Sequence, residues 1–141
     1  MNRKRISLKQ AIEFHGHLGP YLVLGIIAGE TALKVLKCKK YFNLSVRVWG
    51  AGKKPKSCLI DGLQLSTGAT YGKGNINKFN GSVIKMEFKS RANSGALLLK
   101  LNRGLIKIID QAKTHRDSEV LAKKLYNRHY SELFDIWPSQ V

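Results

Sequence analysis

The spacing of apolar and polar residues predicts a mixture of helices and strands. A helix is expected over residues 8–14, with Ser7 as its cap. A longer apolar helix, Pro20–Leu36, has a proline at its first position, where the missing amide proton costs nothing. Strict alternation of apolar and polar side chains predicts strands at Leu44–Trp49 and over residues 82–88.

The remaining segments predict more helix than strand. Helices are expected over residues 58–65 and 94–112, and a last helix, capped by Asp117, ends at Leu125 before a tail with Tyr130, Phe134 and Trp137. This order predicts one α+β domain over residues 1–141, with a mostly antiparallel sheet packed with helices. Its motif-bearing core covers about 8–88, and its helical C-terminal part about 94–137.

Gly25 and Gly29 lie four residues apart in the predicted second helix. Glycine inside a helix costs about 1 kcal/mol relative to alanine, so a close approach of another backbone is expected there. That neighbour is either another element of the same chain or a second copy in a homodimer.

The chain of 141 residues carries a formal net charge of +16. Between Thr31 and Ile109 there are 16 lysines and arginines but two acidic residues, Asp61 and Glu87. Such a surface attracts anions, including nucleic acid, although scattered charge on an ordinary solvated surface explains it equally well. The sequence shows no aromatic pattern of an RNA-recognition sheet, so nucleic acid is the less favoured partner.

The number of cysteines and the length of the apolar runs indicate the expected cellular location of the protein. Two cysteines, Cys38 and Cys58, do not make a disulfide framework, and we expect a reducing, cytoplasmic location. No signal peptide is recognisable, and the apolar run over residues 18–28 is shorter than the ~20 residues that span a bilayer. No membrane association is expected.

Two histidines, His15 and His17, flank a glycine just before the Pro20 helix. On a turning backbone, side chains two residues apart can point at one ligand, and imidazole is the commonest metal ligand in proteins. The pair is interpreted as metal ligands or as an acid–base pair; the alternative is one local hydrogen bond and one exposed ring. His115 and His129 have no partner at ligand spacing and are expected at the surface.

Cys58 and Asp61 are one turn apart on a predicted helix and share a face. Cys58 is a candidate soft metal ligand or reactive thiol, whose pKa a helix N-terminus and basic neighbours would lower. Asp61 could orient a ligating histidine or act as a catalytic base. The alternative is a buried apolar cysteine and a carboxylate that balances nearby lysines.

A glycine-rich loop follows at residues 66–75. Its Gly68 and Gly72-Lys73 lack the spacing of an NTPase phosphate loop, and Gly74 stands where that loop needs serine or threonine. The glycines still allow backbone amides to face a ligand, with Lys73 beside them to hold an anion. A tight structural turn is the competing explanation.

Together these segments resemble the FmdE family, which is named for a component of formylmethanofuran dehydrogenase. That family has Phe-His-Gly-His-Leu-Cys-Pro-Gly, then Cys-x-x-Asp-Ala-Ile-Gln and Gly-Cys-Thr-x-Gly-Lys-Gly-Asn. The chain reads Phe-His-Gly-His-Leu-Gly-Pro-Tyr at residues 14–21, Cys-Leu-Ile-Asp-Gly-Leu-Gln at 58–64 and Gly-Ala-Thr-Tyr-Gly-Lys-Gly-Asn at 68–75. The resemblance covers residues 8–88. It departs at Gly19 and Ala69, which replace two cysteines of the family.

The resemblance implies an α+β core, a homodimer, and a metal site formed by the histidine motif and the Cys-x-x-Asp helix. The ligands would be His15, His17 and Cys58, with Asp61 as an orienting or catalytic carboxylate. Three protein ligands leave an open position at zinc, and nickel and iron are alternatives. The alternative is that the chain, which lacks two of the family's cysteines, no longer binds a metal, and that the pocket binds another ligand instead.

The family is linked to archaeal-type one-carbon metabolism, methanogenesis, through a molybdenum or tungsten enzyme. The resemblance leaves open whether a family member is itself an enzyme. Thr70 and Lys73 are expected to face the pocket, with Lys73 holding a small anionic ligand. The alternatives are a basic module that binds nucleic acid or an acidic partner, and an accessory subunit of a redox complex.

Overall fold

The computed structural model describes residues 4–138. This range contains five helices and five strands, and a short 3-10 turn, Tyr130–Glu132, precedes the last strand. In chain order the elements are α1 Leu8–His15, α2 Pro20–Leu36, β1 Leu44–Trp49, α3 Cys58–Thr67, β2 Ile76–Phe79, β3 Lys85–Ser90, β4 Ala96–Leu101, α4 Arg103–Gln111, α5 His115–Tyr126 and β5 Phe134–Pro138.

The strands form one mixed sheet in the order β2-β1-β3-β4-β5. β1 runs parallel to β2, and the other neighbouring strands are antiparallel. Alternate strand residues, such as Val48, Met86 and Leu99, are fully buried, and α2 packs against β3 and β4 on their side of the sheet. The predicted fold class, α+β with a mostly antiparallel sheet packed with helices, is confirmed.

The turn between α1 and α2 follows from local sequence. Ser7 and Gln10 form a reciprocal capping box at the start of α1, as the Ser7 prediction required. Gly16 ends α1 with φ of 110°, a left-handed conformation that favours glycine, and Pro20 opens α2. The two histidines are therefore held in a short corner between rigid helices.

The predicted helix over residues 94–112 is wrong in its first half. Leu97, Leu99 and Leu101 are buried on alternate positions of β4, and only α4 is helical. Leu97, Leu101 and Leu105 are four residues apart, which fits one face of a helix. Leu97, Leu99 and Leu101 are also two residues apart, which fits one face of a strand. The side chain of Asn102 accepts the Gly104 amide at 2.9 Å and starts the helix there.

Other boundaries also differ from the prediction. β2 lies in a segment for which no element is predicted, and β5 lies in the predicted tail. β3 starts three residues later than expected. The cap of α5 is Thr114, whose hydroxyl accepts the Asp117 amide at 3.0 Å, so Asp117 lies in the first turn and is not the cap.

Gly25 and Gly29 face α3 within the same chain. A Cβ at Gly25 would collide with the carbonyl oxygen of Leu59, and one at Gly29 with the Ser66 hydroxyl. The close approach is reciprocal, because a Cβ at Gly62 on α3 would collide with the carbonyl oxygen of Leu22 on α2. The core-packing explanation is confirmed, so the predicted homodimer rests on the family resemblance and stays a prediction.

α5 packs against α2 and is tied to the N-terminal segment. The Tyr126 hydroxyl donates to the Ile6 carbonyl at 2.6 Å, and the Arg5 guanidinium lies 3.9 Å above the Tyr126 ring. This docking brings the start of α5 beside the corner between α1 and α2. Within residues 4–138 no single helix is long and apolar enough to cross a membrane; α1 and α2 pass that test only as a pair, bent by 119°.

Candidate functional site

A cavity of about 200 Å³ opens where the α1–α2 corner meets the first turns of α3 and α5. The corner contributes both predicted histidines, and α3 contributes the predicted cysteine. The rest of the lining comes from α2, from the loop before α3 and from the α4–α5 connection. The lining residues that matter for the chemistry are His15, His17, Tyr21, Cys58, Lys113 and His115.

His15 is held by Asp61 across the α1–α3 contact. Its Nδ1 lies 2.6 Å from the Asp61 Oδ2, and its side chain is 10% exposed. An ionised carboxylate only accepts hydrogen bonds, so in this pairing Nδ1 is the donor, and a neutral imidazole would then keep the Nε2 lone pair for another partner. This is the arrangement in which a carboxylate orients a metal-ligating histidine.

His17 lies between two other imidazoles. Its ring centroid is 5.0 Å from that of His15 and 5.8 Å from that of His115, and both contacts are edge-on. His115 is exposed, as expected for a surface residue, but it is not isolated. Sequence spacing could not reveal this contact, because it depends on the docking of α5 against α2.

Cys58 begins α3, is half-buried and lines the same cavity. Burial raises the pKa of its thiol and the nearby Asp61 carboxylate adds to the rise, whereas Lys54 and a backbone hydrogen bond oppose it. The expected lowering by a basic neighbour and by the backbone at the start of α3 is present, but burial and Asp61 outweigh it. Without a bound cation the thiol form is favoured over the thiolate.

Thr70 and Lys73 do not line this cavity. The Thr70 hydroxyl accepts the Lys73 amide at 3.1 Å, as in a structural turn. The Lys73 ammonium lies 5.5 Å from the Phe42 ring centroid and 5.9 Å from that of Tyr41. The cation at the cavity is instead Lys113, which sequence reasoning did not single out.

Tyr21 is a further lining residue that the sequence did not single out. It is 2% exposed, and its hydroxyl is the one buried side-chain polar atom of residues 4–138 that has no hydrogen-bond partner. Burial, with a smaller contribution from Asp110, raises its pKa from 10.0 to about 12. Tyr21 stands where the FmdE motif has glycine, and in this chain its side chain lines the cavity.

Replacement of Tyr21 by phenylalanine is expected to stabilise the protein by about 1 kcal/mol, because a buried hydroxyl without a partner costs its lost hydration. The gain should increase above pH 10, since the unfolded tyrosine ionises at its ordinary pKa of 10.0 whereas the folded one stays neutral to about 12. Urea unfolding at pH 7 and at pH 10.5 measures both effects. A less stable phenylalanine variant at pH 7 would show that the hydroxyl has a partner.

The donors fit a transition metal by type but are not arranged around one point. Two imidazoles and a thiol are the usual ligands of zinc. Among residues 4–138, however, no three histidine, cysteine, aspartate or glutamate side chains converge closely enough to hold an ion. Ion binding at this cavity therefore requires rotation of side chains, which is easiest at the exposed His17 and His115.

The comparison with known families agrees with the motifs. A family model described as "FmdE, Molybdenum formylmethanofuran dehydrogenase operon" matches residues 14–135. The match extends past the motif region through α4 and α5, and thus includes every lining residue named above. No curated protein matches the sequence. Because the family model covers most of the 141 residues, the chain belongs to the FmdE family.

Proposed function

We propose that this FmdE-family protein binds a divalent transition metal, zinc by preference, at the cavity beside the α1–α2 corner. The ligands are His15, His17 and Cys58. One observation carries the proposal: the Asp61 carboxylate lies 2.6 Å from His15 Nδ1, at a cavity that His17 and Cys58 also line. A carboxylate that orients an imidazole is a common support of protein metal sites.

Asp61 is assigned the orienting role rather than that of a catalytic base. Its bond to His15 sets the ring orientation and leaves Nε2 as the ligating nitrogen. The same carboxylate lies close enough to Cys58 to raise the pKa of the thiol. A metal cation reverses that situation, since a coordinated thiol loses its proton.

His115 is assigned to the rim of the site. Its ring lies 5.8 Å from that of His17, and it sits in the first turn of α5. Rotation of its side chain would bring a third imidazole towards an ion held by His17. In this chain, which has Gly19 and Ala69 in place of two family cysteines, such a nitrogen donor would partly replace the missing thiols.

The second ligand of the site is a small anion. Lys113, Thr114 and His115 line the cavity, and the N-terminal end of α5 carries the partial positive charge of its helix dipole. A bound metal supplies Lewis acidity and a lowered pKa for a coordinated water, which favours hydrolysis or hydration. The family description names the formylmethanofuran dehydrogenase operon, which supports a role linked to that enzyme and to one-carbon metabolism.

Cobalt substitution tests the proposal through the thiol ligand. Metal-free protein titrated with Co²⁺ should develop the near-ultraviolet absorption of a cobalt–thiolate bond at about one equivalent. The Cys58→Ser variant should lose this absorption. Its matched control is Cys38→Ala, because Cys38 is buried in the core and does not line the cavity.

The pH dependence of the Co²⁺ affinity is a second test of Cys58 as a ligand. The Cys58 thiol has a raised pKa in the metal-free protein, so Co²⁺ must displace its proton and the affinity should rise with pH. Absorption that survives in Cys58→Ser, or that disappears in Cys38→Ala, would contradict the assignment of Cys58.

A further inference from the structure

Within residues 4–138, the helices pack on one face of the sheet and leave the other face open. Residues that alternate with the buried strand positions point away from the helices, and these residues are exposed or half-buried. The open face is defined by Arg47, Trp49, Phe79, Lys85, Leu98, Lys100 and Trp137, which come from all five strands. It shares no lining residue with the histidine cavity.

A groove of about 470 Å³ crosses the open face. Trp49 and Trp137 line it, and Lys85, Leu98 and Lys100 lie on the strands between them. Leu98 is the direct neighbour of Trp137 across the β4–β5 ladder. The loop over residues 80–83 completes the lining, so the groove combines two tryptophans and two lysines with a polar loop wall.

The aromatic side chains offer planar surface supported by cations. Trp49 and Phe79 are stacked, with ring centroids 5.3 Å apart and planes 26° from parallel. The Lys85 ammonium lies 4.9 Å and the Arg47 guanidinium 5.1 Å from the Trp49 ring. Phe79 is 41% exposed and Trp137 45% exposed, so both rings are accessible for stacking.

The charges of the open face favour a polyanion. Lys85 and Lys100 are directly opposite each other in the β3–β4 ladder, and like charges in that position destabilise a sheet. Asp135 is the neighbour of Lys100 on its other side, and Glu87 is already paired with Arg47 at 2.7 Å. A phosphate chain in the groove would relieve the Lys85–Lys100 repulsion.

We propose that the open face binds single-stranded nucleic acid. One base stacks on the exposed Trp137, a neighbouring base lies against the Trp49–Phe79 pair, and phosphates contact Lys85 and Lys100. This combination of aromatic platforms and a positive groove is how single strands are bound without strict sequence preference. A second copy of the chain is the weaker candidate occupant of this face, because a twofold interface centred on the groove would bring two Lys85–Lys100 pairs together.

Intrinsic fluorescence offers a direct test, because Trp49 and Trp137 are the two tryptophans of the chain and both line the groove. Single-stranded oligouridine RNA of 12 nucleotides, the DNA strand of the same length and a DNA duplex are titrated into the full-length protein. Quenching by either single strand, with an affinity that falls steeply as salt rises, supports the proposal. The better of the two strands identifies the natural class.

Two variants separate stacking from general attraction to a basic protein. Trp137→Ala should weaken single-strand binding by ~10-fold, the effect of one lost stacking contact. Lys100→Ala should weaken binding by several-fold, whereas Lys107→Ala, an equal charge loss on the exposed part of α4, should change it less than twofold. The variants are checked by circular dichroism for intact folding.

Three results would overturn the proposal. One is unchanged tryptophan fluorescence at saturating RNA and DNA. Another is equal weakening by Lys100→Ala and Lys107→Ala with no effect of Trp137→Ala, since binding would then be diffuse charge attraction. The third is sedimentation of the nucleic-acid-free protein as a dimer that Trp137→Ala dissociates, because the face would then be a protein interface.

Discussion

Replacement of His17 by alanine is expected to lower zinc affinity by more than ~100-fold while the fold stays intact. Even outer partners of a metal ligand contribute ~10–100-fold to affinity, so the loss of a ligand should exceed that range. His17 is exposed, and its ring contacts those of His15 and His115 rather than the core, so little core packing is lost. Isothermal titration of metal-free protein with Zn²⁺ measures the change, and circular dichroism checks the fold.

The other histidines make a graded control series. His115→Ala should weaken zinc binding by ~10-fold, because this ring stands at the rim and contacts His17 at 5.8 Å. His129→Ala should leave affinity unchanged, since His129 caps the 3-10 turn through Ser131 and lies away from the cavity lining. Equal zinc affinities for the wild type and His17→Ala would contradict the assignment of His17 as a metal ligand.

The second large effect is expected at Gly25. Replacement by alanine should cost about 3 kcal/mol of unfolding free energy, because the new methyl group would meet the carbonyl oxygen of Leu59 and push α2 and α3 apart. The backbone cannot yield as a flexible side chain would. Since α3 carries Asp61 and Cys58, separation of the two helices should also weaken metal binding.

Urea unfolding followed by circular dichroism measures this loss. The matched control is Gly52→Ala, because nothing lies within 4 Å of a Cβ at that loop position. Its stability should change by less than ~0.5 kcal/mol, as for other surface substitutions. A Gly25→Ala variant as stable as Gly52→Ala would show that α2 and α3 do not pack as closely as the structure indicates.

Elements with local signals can be predicted from the sequence. α1 has its serine cap, α2 its proline, and β1 its strict alternation, and the predicted bounds of each agree with the structure within one or two residues. The β4 segment also fits a helix, because leucines at every second position produce spacings of four. β2 pairs in parallel with β1, a contact between distant segments that leaves no local pattern in four residues.

The residues of the candidate site also differ in whether a local sequence signal predicts them. His15, His17, Cys58 and Asp61 belong to short motifs, and the structure brings these residues to one corner. Their roles at a metal ion stay a prediction. His115 and Lys113 reach the cavity only because α5 docks on α2, a contact some hundred residues away in sequence. The open face escapes sequence reasoning for the same reason, since Trp49, Phe79 and Trp137 lie on three strands.

The metal content of the purified, untagged protein tests the metal-site assignment most directly. The protein is loaded with zinc, freed of unbound ions by dialysis and measured by elemental mass spectrometry beside the His17→Ala variant. We expect about one zinc per wild-type chain, as for a site with three protein ligands, and almost none in the variant. Wild-type protein that retains no more zinc than His17→Ala would contradict the assignment, and the cavity would then serve the anion alone.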